Sequence, residues 1–198
     1  MTLSQAFHAL RALLPAVLLL CLPAGATTML KVELPELARS ADLIVHGKVL
    51  RLQSRWSGDG RRILTDVEIQ VTEALKGQAG PTVLVTQPGG RVGDIGQKVS
   101  GLASFAAGEE VVVFLSRQGP QGYRVSGLAQ GKYQVQRTEA EAQALAVPES
   151  TGDALLLDAA SRQPVEGTSR GLALEELKAA IRAALAPPTP ARSQERQP

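Results

Sequence analysis

The chain has 198 residues, of which 44% are hydrophobic and 3% aromatic, and its formal net charge is +2. Its most concentrated basic feature is the isolated pair Arg61-Arg62. A nucleic-acid-binding surface needs many basic side chains for the phosphates and commonly aromatic rings for the bases. The composition therefore argues against a nucleic-acid partner, and the length fits one domain with a hydrophobic core and a small appendage.

The first 26 residues have the pattern of an export signal. Arg11 precedes the apolar run Ala12–Leu22, and Ala24-Gly25-Ala26 is a small-residue cleavage site. The run is about half as long as the stretch of roughly 20 apolar residues that a membrane-spanning helix needs. We therefore expect cleavage before Thr27, a periplasmic or secreted mature chain, and no stable membrane anchor after cleavage.

Cleavage at this site would limit the chemistry of the mature chain. It removes Cys21, which is the only cysteine, and leaves His46 as the only histidine. Protein zinc sites use mainly His and Cys, so a zinc site here would have to consist mostly of carboxylates. Glu109 and Glu110 are candidates for calcium, but neighbouring residues in a strand point to opposite faces. We expect no metal and no cofactor.

The N-terminal half of the mature chain predicts a short helix followed by strands. The helical turn is predicted at Leu34–Asp42, and the first strand at Asp42–Leu52. After a turn at Ser57–Gly60, the segment Ile63–Ala74 alternates valine and isoleucine with polar residues, which is typical of a half-exposed strand. A third strand is predicted at Thr82–Gln87, in a hairpin with the second.

The next part of the chain predicts a long irregular segment and then more strands. Pro88–Ser104 is rich in glycine and contains few large apolar residues, which indicates a loop at the edge of the sheet. Glu110–Ser116 is apolar on both faces, as expected of a central buried strand. With shorter strands at Tyr123–Val125 and Lys132–Arg137, the sequence predicts a mainly β domain of five to six antiparallel strands.

The remaining residues predict a helical extension. Thr138–Ala146 has the composition of a weak helix, Ala154–Asp158 of a short extended segment, and Gly171–Ala186 of an amphipathic helix. The apolar stripe of that last helix consists of Leu174, Leu177, Ile181 and Leu185. We therefore expect a signal peptide at residues 1–26, a β domain at 27–137, a helical extension at 138–186, and a disordered tail at 187–198.

Four segments carry a resemblance to known proteins: Ala41–Val49, Thr65–Gly77, Thr82–Thr86 and Phe105–Leu115. Together they resemble a group of exported bacterial proteins of unassigned function. More distantly, they resemble the OB-fold barrels of netrin modules and tissue inhibitors of metalloproteinases. The resemblance covers about half of the chain, from Ala41 to Val135, and it implies an OB-like barrel with a C-terminal amphipathic helix.

The resemblance does not extend to the inhibitory mechanism. In the inhibitor family an N-terminal cysteine binds the protease zinc, and disulfides hold that edge of the barrel. The expected mature chain begins near Thr27 and has no cysteine. The resemblance therefore implies the fold, whereas the mechanism depends on residues that are missing here.

The glycine-rich segment is the leading candidate for recognition. Pro88–Lys98 matches neither a phosphate-binding loop nor a dinucleotide-binding fingerprint, and no helix pattern follows it. Arg91, Asp94 and Ile95 are its exposed chemical groups, and long loops commonly carry binding residues. Arg55 and Trp56, just before the Ser57–Gly60 turn, are predicted to contribute to the same surface. The alternative is a structural loop, with Trp56 as a lid on the core.

His46 is the only imidazole available for acid–base catalysis. A hydrolase would need His46 beside a carboxylate such as Asp66 or Asp94, and the chain contains no Gly-x-Ser-x-Gly motif. The sequence thus leaves three functions open. The leading one is a non-enzymatic binding or accessory module that acts on a protein or glycan in the cell envelope. The alternatives are an envelope hydrolase that uses His46 and a purely structural envelope protein.

Overall fold

The structure is a computed structural model that describes residues 27–120, 122–137, 143–152, 154–165 and 170–187. The predicted signal peptide and the predicted tail beyond residue 187 lie outside these residues. Helix α1 spans Leu34–Ser40 and helix α2 spans Leu174–Leu185, as the sequence pattern indicates. Within the described part of the chain, no helix is long and apolar enough to cross a membrane.

The protein is mainly β, but the prediction of five to six strands is wrong, because the described residues contain twelve. These are β1 (Thr28–Leu30), β2 (Leu43–Trp56), β3 (Ile63–Lys76), β4 (Thr82–Pro88), β5 (Gly90–Val92), β6 (Ile95–Gln97), β7 (Glu110–Gln118), β8 (Gly122–Val125), β9 (Lys132–Gln136), β10 (Leu145–Pro148), β11 (Leu155–Leu157) and β12 (Leu172–Ala173). The strands that the sequence missed have two to four residues, which is too short to show a periodic pattern.

Eight of these strands form one large mixed sheet. Its order is β12-β10-β9-β7-β2-β3-β4-β8, and β8 also pairs with β7. Strand β7 thus pairs with β2, β2 with β3, β3 with β4, and β4 with β8, and β8 pairs with β7 again. All of these pairings are antiparallel except the β4–β8 pairing at Val85 and Tyr123, which is parallel. The prediction of purely antiparallel strands is thus wrong at this pairing and at β1, which pairs in parallel with β11 outside the large sheet.

Strands β2 and β3 form a long antiparallel ribbon that the large sheet is built around. Residues Val67 and Ile69 of β3 are fully buried, whereas Gln70 is exposed, as the alternating pattern predicts. The register shifts beside Gly47. A Cβ atom at Gly47 would overlap the carbonyl oxygen of Gln70, so this close approach of the strands requires glycine.

Strand β7 separates two hydrophobic clusters. On one face Val111, Val113 and Leu115 pack with residues of β2, β3 and β4. On the other face Val112 and Phe114 pack with α1 and α2. All five side chains are fully buried, so the prediction of a strand buried on both faces is confirmed.

The C-terminal extension continues the sheet and covers it. Leu174, Leu177 and Ile181 of α2 are buried against the cluster that contains Phe114. The weak helix predicted at Thr138–Ala146 lies partly outside the described residues, and Leu145–Pro148 forms strand β10. Pairing of β10 with β9 and β12 outweighs the weak helical preference of this alanine-rich segment.

Candidate functional site

The glycine-rich segment contains a small hairpin within the expected irregular loop. Strands β5 and β6 are antiparallel, with Gly90 opposite Gln97 and Val92 opposite Ile95. Gly93 and Asp94 form the turn between them. Gly93 has a φ of 59°, a left-handed conformation that favours glycine. The hairpin is therefore an ordered projection.

Four hydrogen bonds attach this hairpin to the end of the β2–β3 ribbon. The amide of Gly89 donates to the carbonyl oxygen of Ile63 at 2.8 Å, and the Thr65 hydroxyl donates to the carbonyl oxygen of Gly89 at 2.7 Å. The amide of Ile63 donates to Oε1 of Gln97 at 2.8 Å. The amide of Arg91 donates to Oγ of Ser54 at 3.3 Å. Both strands of the hairpin are thereby fixed to the ribbon.

Gly90 lies at the closest approach between the hairpin and the ribbon. It has a φ of 125°, and a Cβ atom there would overlap the hydroxyl oxygens of Ser54 and Thr65. Any side chain at this position would both strain the backbone and push the hairpin away. The glycine-rich composition of the segment thus has a structural reason at this position.

The structure brings Trp56 to the same end of the molecule as Arg91, Asp94 and Ile95, and we call these four residues the hairpin surface. Trp56 pairs with Ile63 across the ribbon, and it lies on the face of β2 that carries Ser54, which contacts the hairpin. Trp56 is 40% exposed and Ile95 is 55% exposed. Arg91 and Asp94 are also exposed.

Arg55 is separated from this surface. Its side chain lies on the opposite face of β2, where its guanidinium bonds to both carboxylate oxygens of Asp66 at 2.6 and 3.2 Å. Partial burial raises the pKa of Asp66, but hydrogen bonds from Arg55 and Thr86 outweigh that effect and hold the pKa below its ordinary value. The predicted pair of Arg55 and Trp56 is thus divided between two faces.

His46 is buried, with 4% of its surface exposed, and it contacts a carboxylate. Its Nε2 lies 2.7 Å from Oε1 of Glu110. Arg137 binds both carboxylate oxygens of Glu110 at 2.7 and 2.8 Å. The hydrogen bond from Arg137 is the main cause that lowers the pKa of Glu110 to about 2. Partial burial raises this pKa, and the hydrogen bond from His46 lowers it by a smaller amount.

The protonation of Glu110 determines the hydrogen-bonding role of His46. Because the Glu110 carboxylate is ionised at neutral pH, it can only accept, so Nε2 of His46 carries the donated proton. Nδ1 of His46 is buried and has no hydrogen-bond partner among the described residues. A buried polar atom without a partner costs roughly 1–3 kcal/mol, so this atom is a weak point of the local structure.

The carboxylates proposed from the sequence do not reach His46. Asp66 is paired with Gln53, seven residues along β2 from His46, which is roughly 20 Å in a strand. Asp94 lies in the turn of the hairpin. Within the described part of the chain, no hydroxyl group forms a hydrogen bond with His46. Among the described residues, the hydrolase interpretation therefore has a carboxylate in Glu110 but no nucleophile bonded to His46.

A cleft of about 500 Å³ lies beside His46, between the sheet and the first turn of α2. Its polar lining consists of His46, Arg137, Gln143, Glu175, Glu176 and Lys178. Lys178 binds Glu73 at 2.9 Å and Glu175 at 3.1 Å. The volume is in the usual range for small-molecule sites.

Glu109, which directly precedes β7, and Glu110, its first residue, point to opposite sides, as the alternation of an extended chain predicts. Glu110 contacts His46, whereas Glu109 forms an ion pair with the buried Lys132. Lys132 also binds Glu149 at 2.9 Å and the carbonyl oxygen of Ser104 at 2.5 Å. No local pattern in the sequence indicates Lys132, Glu149 or Arg137, because their partners come from distant strands. In the described residues, no three acidic, His or Cys side chains form a group that could hold a metal ion.

Comparisons with known proteins add no assignment to this geometry. No protein-family model matches the chain, and no curated protein sequence matches it. The candidate sites therefore rest on the residues and distances given above.

Proposed function

We propose that this chain is an exported, non-enzymatic binding module that recognises a protein or a glycan of the cell envelope through its hairpin surface. The observation that carries this proposal is the exposure of Ile95 on a hairpin held by four hydrogen bonds, together with the exposure of Trp56 at the end of β2 that supports this hairpin. Exposed aromatic and large apolar side chains beside polar ones are typical of the energetic centre of an interface.

The attachment of the hairpin also favours binding. A loop that is already ordered loses less conformational entropy when a partner docks, so more of the contact energy appears as affinity. Both strands of the hairpin and the ribbon below them are fixed by the bonds at Ser54, Ile63 and Thr65. The hairpin surface is thus a preorganised projection with apolar, cationic and anionic groups.

We further infer that the strands β2, β3, β4, β7 and β8 close into an OB-like barrel, as the resemblance implies. The return of their pairings to β7 supports this inference, since a closed barrel needs a ring of paired strands. The barrel would belong to the domain at 27–137, with 138–186 as its extension. OB-like barrels commonly bind through the loops between their strands, and the hairpin is such a loop.

The proposed location is the periplasm or the exterior of the cell. The support is the signal-like pattern that ends at Ala24-Gly25-Ala26. Intact-mass measurement of the protein from a secreting host should give a chain that begins at Thr27. Recovery of only the full-length chain in the cytosol would contradict export.

An envelope hydrolase is the second candidate, and the contact between His46 and Glu110 at 2.7 Å favours it. A catalytic triad consists of a nucleophile, a His and a carboxylate that orients the His. His46 and Glu110 would supply the last two, and a nucleophile would have to complete the triad. If the chain hydrolyses an ester substrate and His46→Gln abolishes that activity, the hydrolase interpretation replaces the binding one.

The test of the binding proposal uses the immobilised, secreted chain and an envelope extract. We expect the triple variant Arg91→Ala, Asp94→Ala and Ile95→Ala to lose capture of the partner. Its free energy of unfolding should change by no more than about 0.5 kcal/mol for each substitution, as is usual at exposed positions. The same chain on a glycan array distinguishes a glycan from a protein partner.

A matched control separates loss of the surface from general effects of alanine substitution. The triple variant Arg124→Ala, Glu36→Ala and Leu155→Ala also removes one arginine, one carboxylate and one exposed apolar side chain, away from the hairpin. It should retain capture. Retained capture by the hairpin variant, with a clear loss of stability, would show that the hairpin serves the fold.

A further inference from the structure

The cleft beside α2 has a polar lining that is not part of the hairpin surface. His46 and Ser54 are eight residues apart on β2, so the cleft lies roughly 25 Å along the strand from the residue that contacts the hairpin. The cleft is therefore a separate candidate site. An inference about it is independent of the proposed function.

The cations that line the cleft are already paired. Arg137 binds Glu110, and Lys178 binds Glu73 and Glu175. Glu176 is then the lining charge for which the described residues provide no ion pair. An anionic ligand would be repelled by Glu176 and would find no uncompensated cation, whereas a neutral ligand avoids this cost.

The lining also offers hydrogen bonds of both kinds. Arg137 uses Nε and Nη2 on Glu110, so the remaining N–H groups of its guanidinium can donate to a ligand. Gln143 can both donate and accept, and no ion pair occupies the Glu176 carboxylate in the described residues. The ring of His46 also lines the cleft. Hydroxyl groups, which donate and accept, match this set.

We propose that the cleft between the sheet and α2 binds a neutral, polyhydroxylated small molecule of about the size of a monosaccharide. The cleft volume of about 500 Å³ admits a sugar ring. The hydroxyl groups would bond to Arg137, Gln143 and Glu176, and the apolar wall formed by Ala173 and Leu174 would cover one side of the ring.

The first experiment compares sugars of the same size and different charge. Saturation-transfer NMR and calorimetry with the purified chain would use glucose, galactose and N-acetylglucosamine as neutral probes, and glucuronate as the anionic one. We expect at least one neutral sugar to bind in the millimolar range or better, and glucuronate to bind about tenfold more weakly. Binding of none of the neutral sugars, or equal binding of glucuronate, would overturn the proposal.

The second experiment places the site in the cleft. Gln143→Ala with Glu176→Ala removes two polar groups at exposed positions and should weaken binding of the neutral sugar about tenfold. Gln118→Ala with Glu36→Ala removes the same groups elsewhere and should leave it unchanged. If the cleft variant binds like the original chain while its melting temperature is unchanged, the sugar site is not in this cleft. Capture through the hairpin surface is measured separately, so either proposal can fail alone.

Discussion

Lys132 is as buried as the surrounding hydrophobic core, and carboxylates compensate its charge. Its side chain is 2% exposed and binds Glu109, Glu149 and the carbonyl oxygen of Ser104. The Nζ atom also lies 4.9 Å from the centre of the Phe105 ring, within the range of a cation–π contact. This cluster joins β9 to β10 and to the loop before β7.

Replacing Lys132 tests that role. Lys132→Met keeps the length of the side chain but leaves two carboxylates without their cation. Removing one partner of a buried ion pair usually costs about 3–5 kcal/mol. We therefore expect urea unfolding to show a decrease of that size in the free energy of unfolding. Lys48→Met, at an exposed position on β2, should change stability by less than about 0.5 kcal/mol. Equal effects of the two variants would contradict a structural role for the Lys132 cluster.

Glu110 makes the stability of the fold depend on pH. The pKa of its carboxyl falls from an ordinary value of 4.5 to about 2 in the folded chain, chiefly through the hydrogen bond from Arg137. Because the pKa is lower in the folded than in the unfolded chain, the ionised carboxylate stabilises the fold at pH values above the unfolded-state pKa. This contribution is lost as the pH falls toward 2. Its upper bound is roughly 3 kcal/mol, and screening by solvent at this partly exposed carboxylate reduces the contribution below that bound.

Glu110→Gln should therefore be less stable than the original chain at pH 5.5, and the difference should shrink as the pH approaches 2.5. Urea unfolding across this range measures the difference directly. Glu36→Gln, at an exposed position on α1, serves as the control and should show little difference at any pH. A difference for Glu110→Gln that is independent of pH would mean that the Arg137 contact does not hold the carboxylate ionised.

The orientation of these residues could be predicted from the sequence, but their partners could not. The two-residue period of a strand predicts that Glu109 and Glu110 diverge, and the structure agrees. The partner Arg137 reaches Glu110 only because β9 pairs with β7. Such a contact depends on long-range strand pairing, which a local pattern does not encode.

At the level of elements, β7 is the strand on which both hydrophobic clusters depend. Val113 is fully buried in the cluster shared with β2, β3 and β4. Val113→Asp would place an unpaired carboxylate there and should cost several kcal/mol, a large part of the total stability of a typical domain. Gln118→Asp, at the exposed end of the same strand, also adds one negative charge and is the control. A loss below about 0.5 kcal/mol at Val113 would contradict the central position of β7.

The predictability of each element followed its length and its pattern. Helix α2 was predictable because its apolar residues recur at helical spacing, although it begins at Leu174 and not at Gly171. Strand β10 was not predictable, since its four residues lie in an alanine-rich segment and are extended only because β9 and β12 flank them. The hairpin of β5 and β6 is equally short and depends on its bonds to Ser54 and Thr65.

For the whole molecule, the two clusters around β7 explain how the extension and the sheet form one structure. Strand β10 continues the sheet beyond β9, and α2 packs on the outer face of β7 together with α1. The hairpin is attached at the far end of the β2–β3 ribbon and contributes to neither cluster. A projection of this kind can change its exposed residues without disturbing the core.

The proposal that the hairpin surface is the recognition site is tested most directly by hydrogen exchange. The exchange of backbone amides would be measured by mass spectrometry, with and without the partner captured from the envelope extract. We predict that the partner slows exchange in residues 54–63 and 89–98 and leaves α2 unchanged. Protection confined to α2 or to the outer strands, with no change in the hairpin, would contradict the proposed recognition surface.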